Sequence, residues 1–271
     1  MTVFCRSLFL LTWFFTATIF SVNVLNAKEQ QEKKVREYIK PSDVSDDVWS
    51  EVKPYLLPFD HPLKNKLDKL FTTFRVTDNP ATVKKAGFLR STPAAFSNAI
   101  VSRNENLSGY YFKFYHDHQQ IDVESKQWID RAFEARSLKK AIKDHGYQKY
   151  FKVPKKWIYL IPDNPQSTGP YPKHFILIAT KINTTKGHIN RFKWQTEVSR
   201  KLLDAVWIIN QQEGLVDSCV GHNLPFTKDN KLAYIDLEQH HKWPVPFHRL
   251  NGYLNPEMQD YWKKLIDNNG P

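Results

Sequence analysis

Cysteine is nearly missing from this chain of 271 residues: only Cys5 and Cys219 occur, and Cys5 falls in an apolar leader. A mature chain with one thiol has no internal disulfide, which excludes the cross-linked scaffolds of small secreted domains. Cys219 has no His and carboxylate at a readable spacing, so it reads as a buried structural thiol rather than a nucleophile. Zinc signatures are also absent, since neither H-E-x-x-H nor a Cys and His finger occurs. Acidic residues are in deficit, 28 against 39 Lys and Arg, and loss of a leader carrying only Arg6 moves the formal charge from +11 to +10. Such a balance favours polyanions: nucleotides, phosphorylated metabolites, nucleic acid or an anionic membrane surface. The basic residues are scattered rather than gathered in a stripe, so composition does not choose among these, and a basic secreted protein without an anionic ligand fits equally.

What is present is enough for a genuine core. Hydrophobic residues make up 41% and aromatics 14% of the chain, spread along its length, which excludes general disorder. Residues 1–27 read as a secretory signal peptide, with a long apolar run from Leu8 to Val24. An uncleaved anchor is the rival, because that run is long and Leu25 is not a small residue. The expected localisation is secreted or periplasmic, with no membrane contact after signal removal. Residues 28–86 read as a charged lead-in and a helical extension. Ser45 caps a first helix, Pro62 opens a second with Leu67, Leu70 and Phe71 on one face, and Asn79-Pro80 starts a third.

Strand texture begins at Gly87. Phe88-Leu89, Phe96 to Val101 and Tyr110 to Tyr115 are separated by a polar turn at Arg103 to Gly109. Lys113 stands amid the aromatics of the third strand, either as an edge lysine reaching water or as a cation with a partner. Trp128 to Ile142 is helical, with Glu134 on the face of Leu138 and Ala141. Strands Lys152 to Ile161 and His174 to Ile182 follow, then one long amphipathic helix from Phe192 to Gln212, stopped by Gly214. Next comes a hairpin: Leu224 to Phe226, a turn at Asp229-Asn230 that tolerates positive φ, and Lys231 to Ile235. Asn223 enters it and Asp236 leaves it, so an amide oxygen and a carboxylate lie side by side. Two such hard ligands suit Mg²⁺ with phosphate oxygens, and a surface hairpin with polar ends is the plainer alternative. Asp217, in the preceding loop, is placed to deprotonate an acceptor hydroxyl. A closing helix spans Pro256 to Ile266.

Asn223 and Asp236, bridged by strand, turn and strand, resemble the metal-binding hairpin of the protein-kinase-like superfamily, in its small-molecule phosphotransferase branch or as a reduced kinase core. Order along the chain is similar too: strand, strand, strand, helix, strand, strand. The resemblance implies an α+β, two-lobed kinase-like fold with a small N-terminal helical extension. Residues 87–181 would be an N-lobe of antiparallel sheet plus one helix, and 182–271 a reduced C-lobe holding the hairpin. It further implies that Lys113 holds the phosphates of ATP, that Glu134 orients Lys113, that Asn223 and Asp236 bind Mg²⁺, and that Asp217 is the catalytic base. The pattern departs at Asp236-Leu237-Glu238, which keeps only the Asp of the family triplet. It departs again at Asp217, six rather than five residues before Asn223, and in lacking a Gly-rich phosphate loop, whose place Ser97-Asn98 or Ser102 to Gly109 would have to fill.

The expected function is therefore an exported phosphotransferase moving the γ-phosphoryl of ATP to an unknown hydroxyl. The expected partners are a nucleotide and a hydroxyl-bearing or anionic molecule, nothing in the sequence points firmly to nucleic acid, and a monomer is expected. Degraded motifs favour an alternative, a pseudokinase-like binding module for an anionic partner. A further alternative is a metal-dependent hydrolase built on His240, His241 and His248, with Glu238 and His222 nearby. Against it, His240 and His241 would point to opposite faces of an extended chain, while His116 and His118 share a strand face without a third ligand.

Overall fold

In a computed structural model of the chain the described residues are 37–91, 99–121 and 124–271. The leader, most of the lead-in, Phe96 and Ser97-Asn98 lie outside them. Three short helices come first, each begun as the local sequence requires. Ser45 Oγ accepts from the Val48 amide at the start of α1 (Asp46–Val52). Helix α2 (Lys64–Thr73) buries Leu67 and Phe71, and α3 (Pro80–Lys85) carries a capping box between Asn79 and Thr82 with proline in its first turn.

A five-stranded antiparallel sheet follows in the order β1-β2-β3-β6-β5. Its strands are β1 (Phe88–Arg90), β2 (Ile100–Asn104), β3 (Tyr110–Phe114), β5 (Lys156–Leu160) and β6 (Phe175–Thr180), and helix α4 (Glu124–Asp144) stands between β3 and β5 in the chain. The fold is thus α+β. Along β3 the side chains alternate, so Phe112 and Phe114 enter one core while Tyr111 and Lys113 face the other way. That first core joins one face of the sheet to α2 and α3 through Leu67, Phe71, Val83, Phe88, Tyr159 and Ile178. A second core gathers Leu138 and Ile142 of α4 with Trp194, Leu203, Tyr234 and Trp262. Pro41–Pro271 forms one compact unit.

Several elements differ from the sequence reading. The expected strand Lys152 to Ile161 is two: β4 (Phe151–Lys152) pairs in parallel with β7 (Leu232–Ala233), and β5 joins the large sheet. Pro154 lies between them and cannot donate to a ladder. Likewise the single helix expected over Phe192 to Gln212 is α5 (Gly187–Thr196) and α6 (Arg200–Glu213). Ser199 makes the break, because its hydroxyl accepts from the Leu202 amide and starts a new helix. Gly214 then ends α6 at φ +61°, as expected. Ser102 to Gly109 is no open loop: Ser102 to Asn104 complete β2, and Asn104 bonds both the Asn106 amide and the Ala86 carbonyl. His116 and His118 flank the buried Asp117 in a turn after β3 rather than sharing a strand face. The final helix, α7 (Pro256–Asp267), buries Met258, Trp262 and Leu265. Among the described residues no helix is long and apolar enough to cross a membrane.

Candidate functional site

The hairpin forms as a short one. Phe226 pairs with Leu232, the Ala233 amide donates to the Pro225 carbonyl at 2.9 Å, and Asn230 in the turn has φ +59°. Its outer end is held from two directions. Strand β7 pairs with β4, and buried Asn190 of α5 accepts from the Phe226 amide while donating to the Gly221 carbonyl, both at 2.8 Å.

Above the hairpin Lys113 projects from β3, which is flanked by β2 and β6. Its ammonium lies 3.2 Å from Asp236 Oδ1. The two thus meet across 123 residues of chain, on the wall of a cavity of about 440 Å³. Tyr111, Lys113 and Lys156 line its sheet side, Pro225 and Asp236 its hairpin side, and Asn190 its α5 side. The first turn of α5 also opens here, with no side chain capping it. Free backbone amides at a helix start favour anions.

Charge in the cavity is unevenly shared. Burial pulls the Lys156 amine down to about 7, and neighbouring Lys113 adds to the effect. Burial works against the charged form of Asp236, yet Lys113, Lys156 and Arg131 together hold its carboxyl below the ordinary carboxylate range. The cavity therefore offers two lysines and one ionised carboxylate to whatever enters.

The remaining expected residues are placed differently. Asn223 is not among the residues that line the cavity; its Nδ2 donates to the Asp217 carbonyl oxygen at 3.0 Å. Asp217 does not line the cavity, although its carboxyl is pushed upward, chiefly by burial and then by the charges of Asp236 and Glu238. Glu134 is buried on α4 and makes no hydrogen bond to Lys113; among the described residues neither of its carboxylate oxygens has a hydrogen-bond partner. Burial, with repulsion from Glu213, pushes its carboxyl up to about 8.

The histidines depart furthest from expectation. His240 and His241 do not diverge: His241 has φ +49°, which folds the backbone so that the Nε2 atoms of both rings sit 3.9 Å from Glu134 Oε2. The opposite-face argument holds only for an extended chain. Glu238 instead pairs with Arg131 at 2.6 Å, and His222 meets the Tyr253 hydroxyl at 3.1 Å. Cys219 is buried, its thiol pushed up to about 12 by burial.

Sequence reasoning missed Lys156 and Asn190. A lysine opening an otherwise apolar strand, Lys-Trp-Ile-Tyr-Leu, was the available signal for the first; Asn190 left none. Set against protein-family models and curated protein sequences, the chain matches none of them.

Proposed function

We propose that this protein is a two-lobed, kinase-like phosphotransferase that binds a nucleoside triphosphate in the cavity and passes its γ-phosphoryl group to a hydroxyl. The observation that carries this reading is the Lys113–Asp236 pair, a sheet lysine and a hairpin carboxylate 3.2 Å apart on the wall of a cavity large enough for a nucleotide. Support also comes from the order of the sheet, with α4 inserted between β3 and β5, which is the upper-lobe order of the resemblance.

Lys113 and Lys156 neutralise phosphate oxygens, with Asp236 rather than Glu134 orienting Lys113. Asp236, ionised and flanked by cations, and Asn223 are the hard oxygen donors that would hold Mg²⁺, which supplies further neutralisation of phosphate charge. The acceptor oxygen bonds to the γ-phosphorus as the bond to the bridging oxygen breaks and the nucleoside diphosphate leaves. From the loop beside the cavity rather than from its wall, Asp217, whose raised pKa makes it a better proton acceptor, would take the proton of an acceptor hydroxyl that reaches it. Most of the rate enhancement in such a site is positioning and charge stabilisation.

Thermal unfolding with ATP and Mg²⁺ or Mn²⁺ tests the reading. At a hundredfold its dissociation constant the ligand stabilises the fold by about 2.7 kcal/mol, a shift of several degrees. Asp236→Ala is expected to abolish the metal-dependent shift, and no shift in the parent chain sinks the proposal. A second reading, a nucleotide-binding module without catalysis, rests on Asp217 and Asn223 standing off the cavity wall. A shift without phosphate transfer to any hydroxyl acceptor would favour it.

A further inference from the structure

Glu134 poses an electrostatic problem that a nucleotide in the cavity does not solve. Its side chain is wholly buried, and both carboxylate oxygens lack a hydrogen-bond partner among the described residues. Buried carboxylates are ordinarily paired, hydrogen-bonded or bound to a metal. Two imidazole nitrogens face it, each at 3.9 Å, which is too long for a hydrogen bond. One ligand atom from each of the three residues falls within 4.8 Å of the others.

We propose that Glu134, His240 and His241 bind a single Zn²⁺ ion. Two imidazoles and one carboxylate are a donor set for a first-row transition ion; Mg²⁺ and Ca²⁺ prefer oxygen alone. Tetrahedral Zn²⁺, with bonds of about 2.0–2.2 Å, sets its ligand atoms about 3.3–3.5 Å apart. The two 3.9 Å spacings to Glu134 therefore need to close by about half an ångström, and the spacing between the imidazoles, at most 4.8 Å, by no more than about 1.5 Å.

The ligands are already held in place. Glu134 stands in the middle of the 21-residue α4, while the His241 amide donates to the Glu213 carbonyl at 2.9 Å and the Lys242 amide to that of Gly214 at 3.1 Å. Those two bonds tie the histidine turn to the end of α6. Phe133 stands beside both imidazoles, with ring centroids 6.5 and 6.2 Å away. Glu238 does not compete for the ion, since Arg131 takes it. Lys156 approaches from the sheet without hydrogen-bonding Glu134. His241 is 46% exposed, so solvent reaches the cluster from its side and can supply a fourth ligand. The ion would join α4 to the segment that follows Asp236-Leu237-Glu238, and its binding stands independently of the nucleotide reading.

The test is titration of the chelator-treated full chain with ZnCl₂ and CoCl₂. Uptake of one ion per chain is expected, with the strong visible absorption of four-coordinate Co²⁺. Glu134→Gln, His240→Ala and His241→Ala should each weaken Zn²⁺ binding by more than about tenfold, and His248→Ala, outside the cluster, should leave it unchanged. His241 is half exposed, so its variant keeps the fold and isolates the ligand effect. Absence of stoichiometric uptake, uptake unchanged in His241→Ala, or a Co²⁺ spectrum of the hydrated ion would each overturn the proposal.

Discussion

A lysine buried beside another lysine holds its proton weakly, and Lys156 is in that position. Burial and the repulsion of Lys113 and Arg131 together outweigh the attraction of Asp236 and Glu134, leaving the amine near 7. Between about pH 7 and 10.5 the unfolded chain then binds more protons at this residue than the folded one, so stability rises with pH over that window. Lys156→Met removes the charge that burial disfavours and is expected to flatten the rise and to stabilise the fold at pH 7 by up to about 4 kcal/mol, the lost attraction to Asp236 taking back part of the gain, as read by urea unfolding at several pH values. The same variant should bind nucleotide more weakly, because a cation suited to phosphate has gone. Lys113 was legible in the sequence because a cation amid aromatics needs an explanation. Lys156 was passed over, since in the expected strand Lys152 to Ile161 it follows Lys152 and Lys155 and looks like surface polarity. The meeting of Glu134 with His240 and His241 left no trace, because the left-handed backbone at His241 cannot be inferred from neighbours that permit an extended one.

At the scale of elements, the ends matter more than the middles. Gly214 shows this at the end of α6. A Cβ there would approach the Lys242 nitrogen to 2.6 Å and His241 Cα and Trp243 Cε2 to 2.9 Å, in a backbone already at positive φ. Gly214→Ala is therefore expected to cost about 1–3 kcal/mol in chemical denaturation, and to weaken Zn²⁺ binding by displacing the histidine turn. Helix stops and caps of this kind were readable: Gly214, Ser45, Asn79 and the hairpin turn at Asn230 all behave as their residue types require. The division between α5 and α6 was hidden because Trp194, Val198, Leu202 and Ile209 keep helical spacing across it. Periodicity reports which face is buried, and two helices laid on one core can share that phase.

At the scale of the whole molecule, the helical extension is part of the first core rather than an appendage. Phe71 packs on Phe88 and Tyr159, and the Leu57 amide donates to the Ile158 carbonyl at 2.8 Å. A buried network fastens the same region: Arg75 Nε reaches Asp117 Oδ2 at 2.7 Å, its Nη2 donates to the Lys173 carbonyl at 2.6 Å, and the Lys173 amide donates to Asp117 Oδ1 at 2.9 Å. Arg75→Met leaves Asp117 charged and unpaired, and should cost about 3–5 kcal/mol in equilibrium unfolding. That the extension packs against the sheet followed from its apolar stripe. That it shares an ion pair across 42 residues did not, since polar partners distant in sequence have no period to betray them. Cys219 has a practical use that follows from its burial between Asp217 and Asn223. In a Cys5→Ser chain it is the sole thiol, shut off from solvent and held protonated, so a thiol reagent can reach it only when the loop opens. The rate of its labelling becomes a clock for that opening, and a ligand that closes the cavity would be heard as the clock slowing down.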